Sequence, residues 1–183
     1  MTEEIFDIVD DNGEPTGRTA PRSEVHRIGL WHRTAHVWIY RRRGQTTEIL
    51  LQKRSADKDA YPGCYDISSA GHIPAGDDYV ESALRELKEE LGLTALPEEL
   101  TECGMRHNEY HGEFHDKPFH DCEIQKIYVL MRDIEPEDCM LQTEEVESVM
   151  WMDLDACIAA VKDGTLEHCM YEDELAMVRN AVM

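Results

Sequence analysis

The stretch "RELKEELGL", residues 85–93, places Glu86, Glu89 and Glu90 close together. On a helix of 3.6 residues per turn, 86/89 and 86/90 are neighbours, so three carboxylates share one face. Like charges at that spacing cost roughly a few tenths of a kcal/mol per pair. Two readings follow. In one, the face is simply solvated, as on many helices of acidic proteins, with Arg85 and Lys88 relieving part of the repulsion. In the other, the carboxylates hold a hard divalent cation, Mg²⁺ or Mn²⁺. Such ions take oxygen ligands and are often completed by substrate phosphates.

The element that must carry this face is a helix from about Asp78 to Leu91. Asp78 can cap it, with Glu81 three residues on, and Gly92 can end it in the left-handed conformation. Val80, Leu84, Leu87 and Leu91 give an apolar stripe for a core, on a different face from the glutamates. Upstream, residues 3–20 read as a hairpin turning at Asn12-Gly13. "RSEVHRIG" reads as a short helix capped by Ser23 and stopped by Gly29. "HRTAHVWIYRR" and "EILLQKRS" read as paired strands across Gly44. "YPGCYDISSAGHIPAGDD" reads as mostly loop. Downstream come a strand at "EIQKIYVLM", a strand running into a helix at "VMWMDLDACIAAVKDG", and a terminal helix at "MYEDELAMVRNAVM". Strands and helices alternate without regular βαβ spacing, so the expected class is α+β with a mixed sheet.

A chain of 183 residues is long enough for one cored domain. Its formal charge of −21 repels nucleic acid and anionic membranes. A phosphorylated substrate needs divalent cations to approach such a surface. The six cysteines form no CxxC pair, the opening residues carry no signal-peptide run, and no apolar stretch reaches membrane-spanning length. Reduced cysteines in a cytoplasmic protein are the expectation.

The text around the glutamates is "GHIPAGDDYVESALRELKEELGL", residues 71–93. It resembles the Nudix box: Gly, five residues, Glu, seven residues, then Arg-Glu-aliphatic-x-Glu-Glu-x-Gly-aliphatic. One fixed position departs, where Asp77 keeps the charge on a shorter arm. The resemblance implies a mixed-sheet α/β/α sandwich over residues 31–183, with residues 1–30 as an N-terminal extension packed on it. It implies that Glu86, Glu89 and Glu90, with the Gly71 carbonyl, ligate Mg²⁺ or Mn²⁺, and that Arg85 orients the glutamates. The implied reaction is attack of water on a small-molecule diphosphate. A homodimer is a further implication.

Other segments, "RSADKDAYPGCYDISSAGHIPAG" and "GLWHRTAHVWIY", look like the isopentenyl-diphosphate isomerase branch. In that branch a Cys-Gly-His sequence supplies a catalytic cysteine; here it reads Ala70-Gly71-His72. His32 sits where an isomerase has a metal-binding histidine, and Asp121 and Glu123 fall near its acidic metal and proton-transfer positions. The full glutamate set beside Ala70 favours a hydrolase on an isomerase-like frame. An isomerase, or a diphosphate-binding regulator without catalysis, is the alternative. Glu89 and Glu145 are the candidate general bases, with Glu144 and Glu147 near the latter. Lys53 and Arg54 end a strand and could grip a phosphate. His32, His72, Tyr110 and Glu123 are candidate substrate contacts. His107, His111 and His115, with His120, are read as a polar loop; Gly112 and Pro118 argue against a helical zinc site.

Overall fold

The strand-forming run that opens at His32 becomes the centre of the molecule. β3 (His32–Arg43) turns into β4 (Thr46–Arg54), but the two pair only from Tyr40/Ile49 to Arg43/Thr46. The first half of β3 is left to β6 (Ser69–His72), which sets His36 opposite Ala70. On its other side β3 runs parallel to β8 (Lys117–Met131), itself antiparallel to β7 (Leu100–Phe114). β5 (Tyr65–Asp66) and β9 (Val146–Asp153) pair with β4. The computed structural model describes residues 3–58, 60–114 and 117–183, and among these the sheet is mixed and seven-stranded.

Period-two alternation divides the sheet between two faces. Trp38, Ile49, Leu51, Ile127 and Val129 pack against α3 (Leu154–Asp163) and α4 (Glu172–Val182). Val37, Ile39, Leu50, Tyr128 and Leu130 pack against α2 (Tyr79–Leu91). This is the expected α/β/α sandwich. The Asp78 carboxylate accepts the Glu81 N–H at 2.9 Å, and Gly92, at φ 69°, ends the helix. Leu87 and Leu91 are fully buried, each contributing roughly 1.5–3 kcal/mol. Glu90 is buried with them, at 7% exposure.

Before β3, β1 (Ile5–Val9) and β2 (Pro15–Pro21) form the expected hairpin, followed by α1 (Arg22–Ile28). Ser23 does not cap α1. Pro21 holds the cap position, and the Ser23 N–H donates to Glu3 at 2.6 Å. The hairpin lies over the box loop: Phe6 bridges to Pro74, and the Ala75 N–H donates to the Ile5 carbonyl at 2.8 Å.

One loop expectation holds and one is corrected. Residues 61–78 are mostly loop, around the short β5 and β6. The segment with His107, His111 and His120 is the β7–β8 hairpin, paired from Leu100/Leu130 to Phe114/Lys117. Pro118 is tolerated because β8 has there run past β3, whose pairing begins at His32/Glu123. His115 lies outside the described residues. No helix among the described residues is long and apolar enough to cross a membrane.

Candidate active site

α2 and β6 meet where the glutamates lie. A Cβ on Gly71 would land on the Glu86 carboxyl group, so only glycine lets the helix carboxylate come this close to the strand. The Ala70 N–H donates to Glu90 at 3.2 Å. Arg85 reaches Glu86 at 2.8 Å and Glu89 at 3.2 Å, and donates to the His72 carbonyl at 3.2 Å. One guanidinium thus ties two of the glutamates to the end of β6. Burial pushes the Glu86 carboxyl up to about 7, with Glu89 adding to the effect against the pull of Arg85. Burial likewise pushes Glu90 up to about 8, with Glu86 adding and the Ala70 N–H opposing. A divalent cation would reverse both shifts by favouring the charged forms.

These carboxylates line a groove of about 700 Å³. Its far wall carries Arg54, Lys58 and the loop before β9, with Glu144 and Glu145. That loop is pinned to the end of α2: the Met140 N–H donates to Leu91 and the Gln142 N–H to Glu90, at 2.9 and 3.0 Å. Lys58 pairs with Glu145 across the rim. Cations for an anionic ligand and carboxylates for a metal therefore face each other.

A second group lies on the other side of His72. His26 of α1, His32 of β3, His72 of β6 and Asp121 of β8 bring ligand atoms within 4.8 Å of one another. Asp121 is 3.4 Å from His26 and 3.7 Å from His32, and Glu123 is 3.5 Å from His72. The Nε2 atoms of all three histidines and one Asp121 oxygen are buried without a hydrogen-bond partner. Such orphaned atoms are costly, and a transition-metal cation would satisfy them together. Burial lowers the His32 imidazole to about 4 and takes His72 well below its usual range, so both are neutral, as ligands must be. His32 Nδ1 lies 2.9 Å from the Leu30 carbonyl, which fixes the proton there and frees Nε2. Arg22 lies 3.2 Å from His72 Nδ1. With that contact in place the His72 proton sits on Nε2, so a cation here needs Arg22 to step back.

The NUDIX domain family matches residues 30–171. The chain belongs to the Nudix family. It is 41% identical over 156 residues to an uncharacterised Nudix hydrolase of Clostridium acetobutylicum, covering 85% of this chain and 72% of the relative. It is 44% identical over 160 residues to Nudix hydrolase 3 of Arabidopsis thaliana, covering 83% of this chain but 19% of that longer protein. The fold is similar to DR0079 from Deinococcus radiodurans, with a TM-score of 0.68, 18% identity, and 96% and 98% of the two chains covered. The protein is thus a Nudix hydrolase, an enzyme acting on phosphoric anhydride bonds.

Within this Nudix site, Gly71, Arg85, Glu86, Glu89, Glu90, Arg54 and Glu145 converge on the groove. Tyr110 and Glu123 line an adjoining cavity of about 190 Å³, and His72 lines both. Two expected contacts are corrected. Lys53 points to the opposite face of β4 from Gln52 and Arg54, by strand alternation, and pairs with Glu147 at 2.8 Å. His32 is fully buried, with its ring stacked 5.4 Å from that of Phe6, and has no route to a substrate. The sequence reading missed Lys58, His26, Arg22 and Glu4. The last three come from the extension, which therefore builds part of the site.

Proposed function

We propose that this Nudix enzyme is a Mg²⁺- or Mn²⁺-dependent hydrolase cleaving the diphosphate linkage of a nucleoside diphosphate or related compound. The observation that carries it is the groove itself, in which Glu86, Glu89 and Glu90 face Arg54, Lys58 and Glu145. The glutamates and the Gly71 carbonyl would hold the metal. When bound, it would screen the phosphates, polarise them and lower the pKa of water. Arg85 holds the glutamates in register with β6. Arg54 and Lys58 bind phosphate oxygens. Glu145, released from Lys58 as the phosphate arrives, or Glu89 takes the proton from the attacking water.

The histidine group favours a second reading, an isopentenyl-diphosphate isomerase. That reaction needs a proton donor and acceptor beside carbon, and Ala70, at the position where the isomerase sequence carries its cysteine, supplies neither. The chain is better read as a hydrolase. A hydrolysis screen over nucleotides, nucleotide sugars, dinucleoside polyphosphates, coenzymes and isoprenoid diphosphates, with Mg²⁺ or Mn²⁺, tests both. Hydrolysis of a diphosphate, abolished by Glu89→Gln or Glu90→Gln in folded protein, is expected. Full activity in both variants defeats the proposal, and interconversion of the two five-carbon diphosphates establishes the alternative.

A further inference from the structure

The cavity beside the groove has an ionic pair in its wall that the proposed hydrolysis does not use. Glu174 of α4 is fully buried, and its Oε1 lies 2.8 Å from His36 Nδ1. The Trp38 indole N–H donates to the same oxygen at 2.8 Å. Burial pulls the His36 imidazole down, the Glu174 carboxylate pulls it up, and the carboxylate prevails. His36 is thereby fixed with Nδ1 towards the helix and Nε2 away from it. Among the described residues the hydrogen-bond partner of Nε2 is the Thr34 hydroxyl, at 3.5 Å, the outer limit of a hydrogen bond. His36 lines the cavity, and its cross-strand neighbour Ala70 is too small to cover it.

Burying a carboxylate in a core is expensive, and an apolar pair would hold α4 to the sheet as well. What the pair adds is a polar atom of set direction on the cavity wall. The rest of the wall is of the same kind. Asn108 and Gln125 supply amides, and Tyr110, Phe119 and Tyr171 supply ring faces. The cavity of about 190 Å³ opens on the groove at Ala70, Gly71 and His72. A group bound there can be continuous with a diphosphate in the groove. Both amides already have partners, Gln125 in Arg106 and Glu123, and Asn108 in Tyr171, so a prenyl chain there would strand His36 Nε2 in an apolar contact, which is a strong ground for rejecting a ligand. A sugar ring offers hydroxyls that accept from a charged imidazole or donate to a neutral one, and C–H faces for the rings.

We propose that His36, positioned by Glu174, recognises a hydroxyl of a sugar ring attached to the diphosphate, and so selects sugar-linked diphosphates over prenyl diphosphates. This rests on the hydrolase reading of the groove, but binding tests it separately from turnover. Calorimetry in Mg²⁺ would compare a nucleoside diphosphate sugar with dimethylallyl diphosphate. The wild type is expected to prefer the sugar compound by at least about tenfold. His36→Phe is expected to lose tenfold or more for that ligand while holding or gaining affinity for the prenyl one. His36→Gln, which keeps a polar group, retains most of the preference. Wild-type preference for the prenyl ligand overturns the proposal. So does an equal loss for both ligands in folded His36→Phe, because a merely structural residue would not change the ratio. If His36→Phe does not fold, the wild-type ratio and its weakening in Glu174→Gln decide. Sugar preference without hydrolysis of any diphosphate upholds this proposal and defeats the hydrolase reading.

Discussion

The groove takes its three box glutamates from one helix, while the histidine group beside it draws on α1, β3, β6 and β8. The first is a hard oxygen set open to a cavity of about 700 Å³. The second is a mixed nitrogen and oxygen set in which His32 is wholly buried. The groove can exchange ions and phosphates with solvent, as a hydrolytic centre must. The histidine group suits a cation that stays, and Zn²⁺ or Mn²⁺ fits imidazole and carboxylate better than Mg²⁺ does. They share a border at His72, yet their ligand atoms come from different residues. The comparison predicts that the two can be disabled independently.

The largest effect is expected in the groove. Glu90→Gln removes a proposed metal ligand but keeps its shape and its bond to the Ala70 N–H. Turnover in Mg²⁺ should fall at least about 1000-fold, or about 4 kcal/mol of barrier. The metal-free variant should melt no lower than the wild type at pH 8, because a buried carboxylate has been neutralised. Steady-state rates and thermal unfolding check the two halves. Retained turnover would break the assignment of chemistry to the groove.

A smaller effect on turnover, with a clear effect on stability, is expected from Asp121→Asn. The wild type should be stabilised by Zn²⁺ or Mn²⁺ beyond the effect of Mg²⁺, by about 2.7 kcal/mol at a hundredfold excess over Kd. Asp121→Asn should lose that increment, and Glu90→Gln should keep it. Turnover of Asp121→Asn in Mg²⁺ should stay within about tenfold of wild type. If both variants lose the increment together, the two groups form one site.

The contrast also explains what could be read from the chain beforehand. The groove's glutamate face was legible because Gly71 to Leu93 is continuous text, and a helix turns its spacing into a face. The sandwich was legible because Trp38, Ile49 and Ile127 alternate within runs of β-formers. The histidine group was only half legible, since His26 meets Asp121 through packing of the extension on β8. Nothing local joins His36 to Glu174, 138 positions apart. The β7–β8 hairpin was misread because Gly112 and Pro118 are judged by local preference, whereas cross-strand pairing decided the outcome.

The pH response should separate the groups further. In the metal-free protein Glu86 and Glu90 titrate at about 7 and about 8, above the ordinary value of 4.5. Between those values the folded protein holds protons that the unfolded chain has released. Stability from this source is full below about pH 4.5 and is lost as pH rises through 7 to 8. Mg²⁺ competes for the same oxygens, so its affinity should rise over that window and level off above it. Melting curves from about pH 5 to 9, with and without Mg²⁺, should therefore diverge at the alkaline end. Parallel curves would mean that the cation does not bind these carboxylates.

The smallest effect is the sharpest test of facing. Lys53 and Lys58 are five positions apart, both paired with a glutamate of the loop leading into β9 or of its first residues. Alternation along β4 sends Lys53 away from the groove, while Lys58, beyond the strand, returns to its rim. A charged hydrogen bond to phosphate contributes about 1.5–3 kcal/mol, so Lys58→Ala should lower kcat/KM by about tenfold or more. Lys53→Ala removes only an exposed ion pair with Glu147 and should leave kcat/KM within about twofold. Kinetics of the two variants on one substrate check this. If Lys53→Ala is the worse of the pair, the diphosphate approaches from the α3–α4 face and the groove is not its path.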